Sequence, residues 1–262
     1  MRINKINVEK NLIFFLLVHT IIWTLVPSII NTNLPLDTIE ALAWGNNLDW
    51  GYSKHPPLSA WFLEFFFKIF GNQDWAYYLL SQLFIVSSFI IVWKFSFDFF
   101  QNRVLCLISV LLLEGICFYN FTSPEFNVNV CQLPFWALTV YFCWKGVKQN
   151  DAASWLLFGL FAGLGLLSKY IFVYLLIALD VFFIYLIIKK EINFKCLISL
   201  ISFFIILIPH LVWLLENNYI TIDYALFRSL DDPLSGLKGP MFLEHMFYPF
   251  IFLLKQAGIL FP

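Results

Sequence analysis

Charged residues are scarce in this sequence. Asp, Glu, Lys and Arg make up only 13% of the 262 residues, hydrophobic residues make up 61%, and the mean hydropathy is +0.80. This composition excludes an ordinary soluble globular domain. The net charge is -1 and no long basic run occurs. Nucleic acid is therefore not expected as a partner, because phosphate binding needs clustered Lys and Arg.

Several motifs that carry soluble chemistry are also absent. The sequence has no Gly-rich phosphate loop, no HExxH, no GxSxG and no nucleotide-binding fingerprint, which excludes nucleotide-driven chemistry. Its five cysteines lie in or at the ends of apolar runs without CxxC spacing, so we expect small core residues and not a disulfide frame or a zinc site. No metal ligands are predicted. The sequence neither requires nor excludes a divalent cation.

Long apolar runs dominate what is present. A hydrocarbon core roughly 30 Å thick needs about 20 apolar residues per helix. These features predict a single all-α transmembrane domain over residues 1–262 with about eight spans. The last run reaches Pro262 with no polar tail, so we expect the N-terminal part of a longer protein. The apolar runs lie at about 11–30, 75–93, 104–121, 127–144, 153–168, 170–188, 196–215 and 241–262.

The basic residues predict an orientation. With a cytoplasmic N-terminus, most of the sixteen Lys and Arg residues fall in the N-terminal segment and in short cytoplasmic loops, as the positive-inside rule requires. The two longest polar stretches, 31–74 and 216–240, then become outer loops. We expect the working face of the protein on that outer side.

The first outer loop carries two acidic residues with helical spacing. Asp37 and Glu40 follow Pro35 in a segment of helical character, three residues apart, so they share one face of a short helix. Such a pair can deprotonate a hydroxyl, with one carboxylate acting as the base while the other orients the substrate. The alternative is that Asp37 caps the helix and Glu40 is merely solvated.

Further along the same loop, His55 precedes Pro56 and Pro57. The two prolines restrict the backbone and hold the imidazole in a defined place. That rigidity suits a binding group, although a single loop histidine can equally be structural.

Three other charged residues are predicted on the outer side. Lys169 lies between two spans, where a lipid phosphate would compensate its charge, unless it only extends to bulk headgroups. Arg228 could grip a phosphate with two nitrogens, or pair with Asp231 or Asp232. Glu125 adds a third acid on the same face.

Five passages in order carry a family resemblance. The chain resembles the polytopic C-fold glycosyltransferases of the protein O-mannosyltransferase and aminoarabinose transferase type, in the branch that includes the lipopolysaccharide-core transferases of rhizobia. The passages are LDTIEALAW, DWGYSKHPPLSAW, SPEFN, GLFAGLGLLSKY and PHLVWLLENNYITIDYALFR.

The resemblance implies transfer of a sugar from a polyprenyl-phosphate carrier to a hydroxyl of a lipid, glycan or protein. The expected location is the outer, periplasmic face of the bacterial inner membrane, among membrane lipids. Asp37 matches the presumed base, and Glu40 is the candidate for the second acid. Many relatives carry an acid immediately before the HPP motif, whereas this chain has Lys54 there.

The remaining site residues are expected to bind substrate. Lys169, with Tyr170 beside it, and Arg228 would form a cationic cradle for the donor phosphate, while His55, Lys54 and Glu125 complete the set. We identify two alternatives. One is a transporter or flippase of a lipid-linked substrate, although the spans are nearly free of charge, Glu114 being an exception. The other is an inactive fragment of the transferase fold.

Overall fold

The computed structural model describes residues 7–230 and 241–260. All regular structure in these residues is helical, which confirms the predicted all-α class. Three short 3-10 turns interrupt the order of the helices. The α-helices are α1 (Val8–Ile30), α2 (Leu36–Gly45), α3 (Leu58–Phe70), α4 (Asp74–Ser96), α5 (Arg103–Glu114), α6 (Val128–Gln149), α7 (Ala152–Ser168), α8 (Val173–Ile188), α9 (Ser199–Glu216), α10 (Ile220–Leu230) and α11 (Met241–Leu260).

Four of these helical segments are long and apolar enough to cross a bilayer. They are Val8–Ile30, Asp74–Ser96, Tyr170–Ile188 and Phe194–Glu216, and α7 is apolar but shorter. Large hydrophobic side chains on their outward faces are exposed, as expected of surfaces that contact lipid. The chain is therefore an integral membrane protein, and eight crossings remain a prediction.

The long helices pack in a continuous series: α1 against α4, α4 against α6, α6 against α7, and α7 against α9. A Cβ added to Gly159 of α7 would lie 1.9 Å from the backbone oxygen of Ser199 in α9. Only glycine permits this close approach. All five cysteines are free, and four of them are buried, as the sequence predicted.

The predicted third span differs from the sequence-based expectation. The apolar run 104–121 forms a helix only as far as Glu114, and residues 115–127 are irregular apart from one short turn. The side-chain amide of Asn120 donates to the Glu114 carbonyl, which is one of the last carbonyls of α5 and has no partner within the helix. A side-chain hydrogen bond thus takes the place of the backbone hydrogen bond that a continued helix would make to this carbonyl.

The segment 31–74 is mostly helical, and α2 packs against α3. The helix predicted over Asp37 to Trp44 is confirmed by α2. Residues 31–57 and 115–127 meet at one end of the bundle, which we call the loop end. In the stretch 216–240, α10 is described, while Asp231 and Asp232 lie outside the described residues.

Candidate active site

The start of α2 is joined to the turn before α6. The Asp37 backbone N–H donates to Glu125 Oε1 at 3.2 Å, and the Thr38 hydroxyl donates to the Phe126 carbonyl at 3.2 Å. Pro35 provides no side-chain cap for α2, so the Glu125 carboxylate supplies the missing acceptor at the positive end of the helix. Asp37 lies inside α2 and does not cap it, which leaves its carboxylate free for other contacts.

Asn127 holds the Asp37 carboxylate. Its Oδ1 accepts from the backbone N–H groups of Asn129 (2.9 Å) and Val130 (3.2 Å) and so caps α6, while its Nδ2 donates to Asp37 Oδ2 at 3.4 Å. The cap fixes which end of the amide faces α6. The NH2 group must therefore face Asp37, where it orients the carboxylate without neutralising it.

The charge of Asp37 acts on the neighbouring acid Glu125. Partial burial raises the pKa of Glu125, and the nearby charge of Asp37 raises it further. Hydrogen bonds from the Asp37 backbone N–H and from Asn127 oppose that rise. Glu125 therefore holds its proton more tightly than a solvated glutamate does.

Glu40 and Lys54 form an ion pair in which the Lys54 ammonium donates to Glu40 Oε1. That hydrogen bond raises the pKa of Lys54. Lys54 is thus neutralised by an acid from α2. Its ammonium also lies 5.9 Å from the ring centre of Tyr224 in α10.

His55 lies opposite these acids in a small cleft that Asp37, Glu40 and Asn127 also line. Its ring meets Trp44 edge-on, with 5.9 Å between ring centres. Burial lowers the pKa of His55 below its usual 6.5, and the positive charge of Lys169 adds to that effect. The imidazole is therefore neutral at pH 7 and can accept as well as donate a hydrogen bond.

Lys169 follows α7 directly, as predicted, and its ammonium donates to Asn129 Oδ1 at 2.5 Å. Burial lowers the pKa of Lys169, and the charge of Asp37 opposes the decrease. Two asparagines at the start of α6 therefore bind the two charged groups: Asn127 donates to the Asp37 carboxylate, and Asn129 accepts from the Lys169 ammonium.

Tyr170 does not line the cleft around Asp37. Its hydroxyl lies 2.7 Å from His210 Nε2, and His210 Nδ1 lies 2.5 Å from the Trp50 carbonyl. A carbonyl can only accept, so Nδ1 carries the proton and Nε2 accepts from the Tyr170 hydroxyl in the neutral ring. The Thr221 hydroxyl donates to the Tyr52 carbonyl at 2.6 Å. These bonds attach the first loop to α9 and α10.

Arg228 lies at the edge of the site. Its side chain is exposed, and Nη1 donates to the Tyr224 hydroxyl at 3.2 Å. The ring of this tyrosine is the one that faces the Lys54 ammonium. The pairing with Asp231 or Asp232 considered from the sequence falls outside the described residues.

The structure brings most of the predicted site residues together at the loop end. Asp37, Glu40 and His55 line one cleft. Glu125 accepts from the Asp37 backbone N–H, and Lys169 donates to Asn129 at the start of α6. Among the described side chains, no group of three or more His, Cys, Asp or Glu is arranged to hold a metal ion. Sequence reasoning missed the asparagines of the α6 start and His210. The position of Asn127 just before an apolar run is a helix N-cap signal that could have indicated its place.

Comparison with known proteins agrees with the resemblance seen in the sequence. The lipopolysaccharide core galacturonosyltransferase RgtA of Rhizobium johnstonii is 24% identical to this chain over 192 residues, which are 71% of this chain and 38% of the relative. The chain thus covers less than half of that protein's length. No solved structure matches. The sequence profile of the dolichyl-phosphate-mannose-protein mannosyltransferase family matches residues 54–213, and the chain therefore belongs to that family.

Proposed function

We propose that this chain is a membrane glycosyltransferase that moves a sugar from a polyprenyl-phosphate donor to a hydroxyl of a lipid, glycan or protein acceptor. Membership of a glycosyltransferase family and the apolar helices support the class. The name of the rhizobial relative favours a lipid-linked glycan as the acceptor.

The observation that carries the proposal is the placement of Asp37. Its carboxylate faces a cleft, oriented by the neutral amide of Asn127 and close to the cationic Lys169. In the proposed reaction Asp37 takes the proton of the acceptor hydroxyl, whose oxygen attacks the anomeric carbon of the sugar. The bond from that carbon to the phosphate oxygen breaks with inversion, and the lipid phosphate leaves as an anion.

The partners of the basic residues indicate which of them can bind that phosphate. Lys169 donates to an uncharged amide and Arg228 to an uncharged tyrosine, whereas Lys54 is neutralised by Glu40. Among the described residues neither Lys169 nor Arg228 has an acidic hydrogen-bonding partner, so we assign both to the donor phosphate. We assign Lys54 and Glu40 to shaping the acceptor side of the cleft, with His55 as a neutral hydrogen-bonding group.

The proposal includes the topology. Eight crossings with a cytoplasmic N-terminus would put the loop end, with residues 31–74 and 216–240, on the periplasmic side of the inner membrane. The distribution of Lys and Arg supports this orientation. The donor phosphate would then lie at headgroup level beside Lys169.

The first experiment measures sugar transfer from a radiolabelled polyprenyl-phosphate-sugar pool to endogenous acceptors in membranes that contain the chain. Asp37→Asn should lower the rate about 100-fold or more, because general-base catalysis contributes typically 10²–10⁴-fold. Asp49→Asn is the matched control, since Asp49 lies in the same loop and its carboxylate accepts from the next backbone N–H, its one hydrogen bond among the described residues. We expect its rate within about twofold of wild type. Equal labelling by wild type and Asp37→Asn would refute the proposed base.

A second candidate, a transporter or flippase, is favoured by one observation. His19 Nδ1 lies 2.9 Å from Glu114 Oε2 within the apolar helices, next to a broken span, and ionisable groups beside broken helices occur in transporters. If wild type transfers no sugar but moves the labelled lipid across reconstituted vesicles, and Glu114→Gln stops that movement, the transporter is correct. If neither activity is present, the chain is an inactive fragment.

A further inference from the structure

A buried polar cluster lies within the helices beneath the candidate site. His19 Nδ1 of α1 is 2.9 Å from Glu114 Oε2 at the end of α5, and His19 Nε2 is 3.1 Å from Gln82 Oε1 in α4. His19 is 3% exposed and Gln82 is fully buried. His19 thus contacts the end of α5 through one ring nitrogen and is hydrogen-bonded to α4 through the other.

His19 is well below the end of its helix. His19 lies in the middle of α1, about 16 Å from the last residue of that helix at 1.5 Å per residue. Ionisable groups at such a depth in a bilayer are costly, and they are found paired and usually in functional roles. Packing of α1 against α4 does not need them, because apolar side chains of similar volume serve that purpose at least as well.

The cluster continues into the irregular segment after α5. The Gln82 amide donates to the Ser123 hydroxyl at 3.2 Å, and that hydroxyl donates to the Asn120 carbonyl at 2.7 Å. The Ser81 hydroxyl donates to the Ser123 carbonyl. Irregular backbone at membrane depth is tolerated only where protein satisfies its polar groups, and here the side chains of α4 do so.

This irregular segment carries the partners of Asp37. Ser123 is two residues before Glu125, which accepts the Asp37 backbone N–H, and four before Asn127, which orients the Asp37 carboxylate. We propose that His19, Glu114 and Gln82 are a positioning network that fixes the 120–127 turn, and with it Glu125 and Asn127, against Asp37. The part of this proposal that predicts a change in reaction rate rests on the proposed function.

The three residues lie beneath the turn and do not line the cleft, so they act on the reaction through other residues. Displacing a catalytic group by about 1 Å can cost 10²-fold in rate. Loss of the network should therefore lower kcat and leave donor binding, which we assign to Lys169 and Arg228, nearly unchanged.

Three variants and one control test this in membranes that contain the full chain. Gln82→Leu and Glu114→Leu remove hydrogen bonds but keep similar volume, and each should lower kcat about 10- to 100-fold with donor KM within about threefold. Glu114→Gln keeps an oxygen acceptor for His19 and should retain at least about half the wild-type kcat. Asp180→Asn, in the middle of α8 and outside the network, should behave as wild type.

Hydrogen exchange in lipid nanodiscs gives a second readout that needs no activity. In Gln82→Leu and Glu114→Leu, exchange should accelerate in residues 117–128 and in the first turn of α2, while α6, α7 and α9 stay protected as in wild type. Unchanged exchange at the turn, or equal acceleration throughout the helices, would overturn the proposal. If wild type transfers no sugar, the proposed function fails and the exchange pattern alone decides whether the network positions the turn.

Discussion

Two groups of Asp37 have opposite effects on the charge of Glu125. The Asp37 backbone N–H stabilises the Glu125 carboxylate, whereas burial and the Asp37 carboxylate destabilise it, and the pKa of Glu125 is raised as a result. A group whose folded-state pKa is raised above its unfolded value binds more protons in the folded state across the interval between the two. For a carboxyl group the charged form is the penalised one, so this group's contribution to stability decreases as pH rises.

We therefore predict that Glu125→Gln stabilises the protein relative to wild type more at pH 7 than at pH 4. The amide oxygen can still accept from the Asp37 N–H, and the charge penalty is absent. Thermal unfolding followed by tryptophan fluorescence in detergent measures the difference in Tm. A difference in Tm that is the same at both pH values would show that the Glu125 charge carries no penalty in the folded state.

His55 should produce a pH effect of the opposite sign. Burial and the charge of Lys169 lower the pKa of His55 below 6.5. At pH values between the lowered pKa and 6.5, the unfolded chain therefore binds more protons than the folded chain does. Stability should fall as pH decreases from 7 to below 6. In His55→Gln this part of the decrease should vanish in the same unfolding measurement. If His55→Gln and wild type lose stability in parallel, burial of the neutral imidazole is not the cause.

The roles of single residues could be predicted in part from local sequence. The spacing of Asp37 and Glu40 indicated a shared helix face, and both residues do line one cleft. The partners of Asp37 could not be predicted, because Glu125 and Asn127 lie 88 and 90 residues further along the chain. A single sequence does not reveal contacts between residues so far apart along the chain.

At the scale of elements, the loop before α3 is attached to the end of α9 by a close backbone approach. A Cβ added to Gly51 would lie 2.4 Å from ring atoms of Trp213. His210, one turn earlier on α9, bonds the Trp50 carbonyl. Any side chain larger than that of glycine at position 51 must push the loop away from α9 or displace the indole.

Gly51→Ala should therefore destabilise the protein by about 1–3 kcal/mol, the usual cost of overpacking. The same unfolding measurement in detergent tests this, and limited proteolysis should show faster cleavage in residues 46–57. Gly258→Ala is the control, since a Cβ there meets no described atom within 4 Å. Trp213→Leu combined with Gly51→Ala should recover part of the loss. A Gly51→Ala protein as stable as wild type would mean that the loop and α9 separate without cost.

The elements illustrate what hydropathy can and cannot predict. The run 104–121 is apolar throughout, apart from Glu114 and a few small polar residues, so hydropathy predicts one continuous span. The helix nevertheless ends at Glu114, because Asn120, Ser123 and Gln82 offer the backbone and each other alternative partners. Average hydropathy is insensitive to a few polar side chains that meet only after the helices pack.

At the scale of the whole molecule, the orientation in the membrane can be tested by cysteine labelling. Asn72, between α3 and α4, and Gln149, at the end of α6, are both exposed, and the proposed topology puts them on opposite sides of the membrane. Asn72→Cys should react with a membrane-impermeant maleimide in spheroplasts, and Gln149→Cys only after permeabilisation. Wild type controls for the native cysteines, of which only Cys117 is not buried. The reverse labelling pattern would invert the topology.

The class of the whole molecule was the most predictable property. Composition alone indicated a helical membrane protein, because only helices and closed barrels satisfy the backbone in lipid, and ordered sequence passages indicated the family. The arrangement of helices around the site depended on contacts such as those of Gly159 and Gln82, which composition does not reveal.

The long sequence separation between Asp37 and its partners also has a consequence for biosynthesis. During translation α1 and α2 leave the ribosome while Glu125 and Asn127 have yet to be made. Asp37 therefore enters the membrane before its partners exist, and a nascent chain stalled before α6 carries every residue of the first loop but neither Glu125 nor Asn127. The contacts that orient Asp37 can form only once the start of α6 has been made.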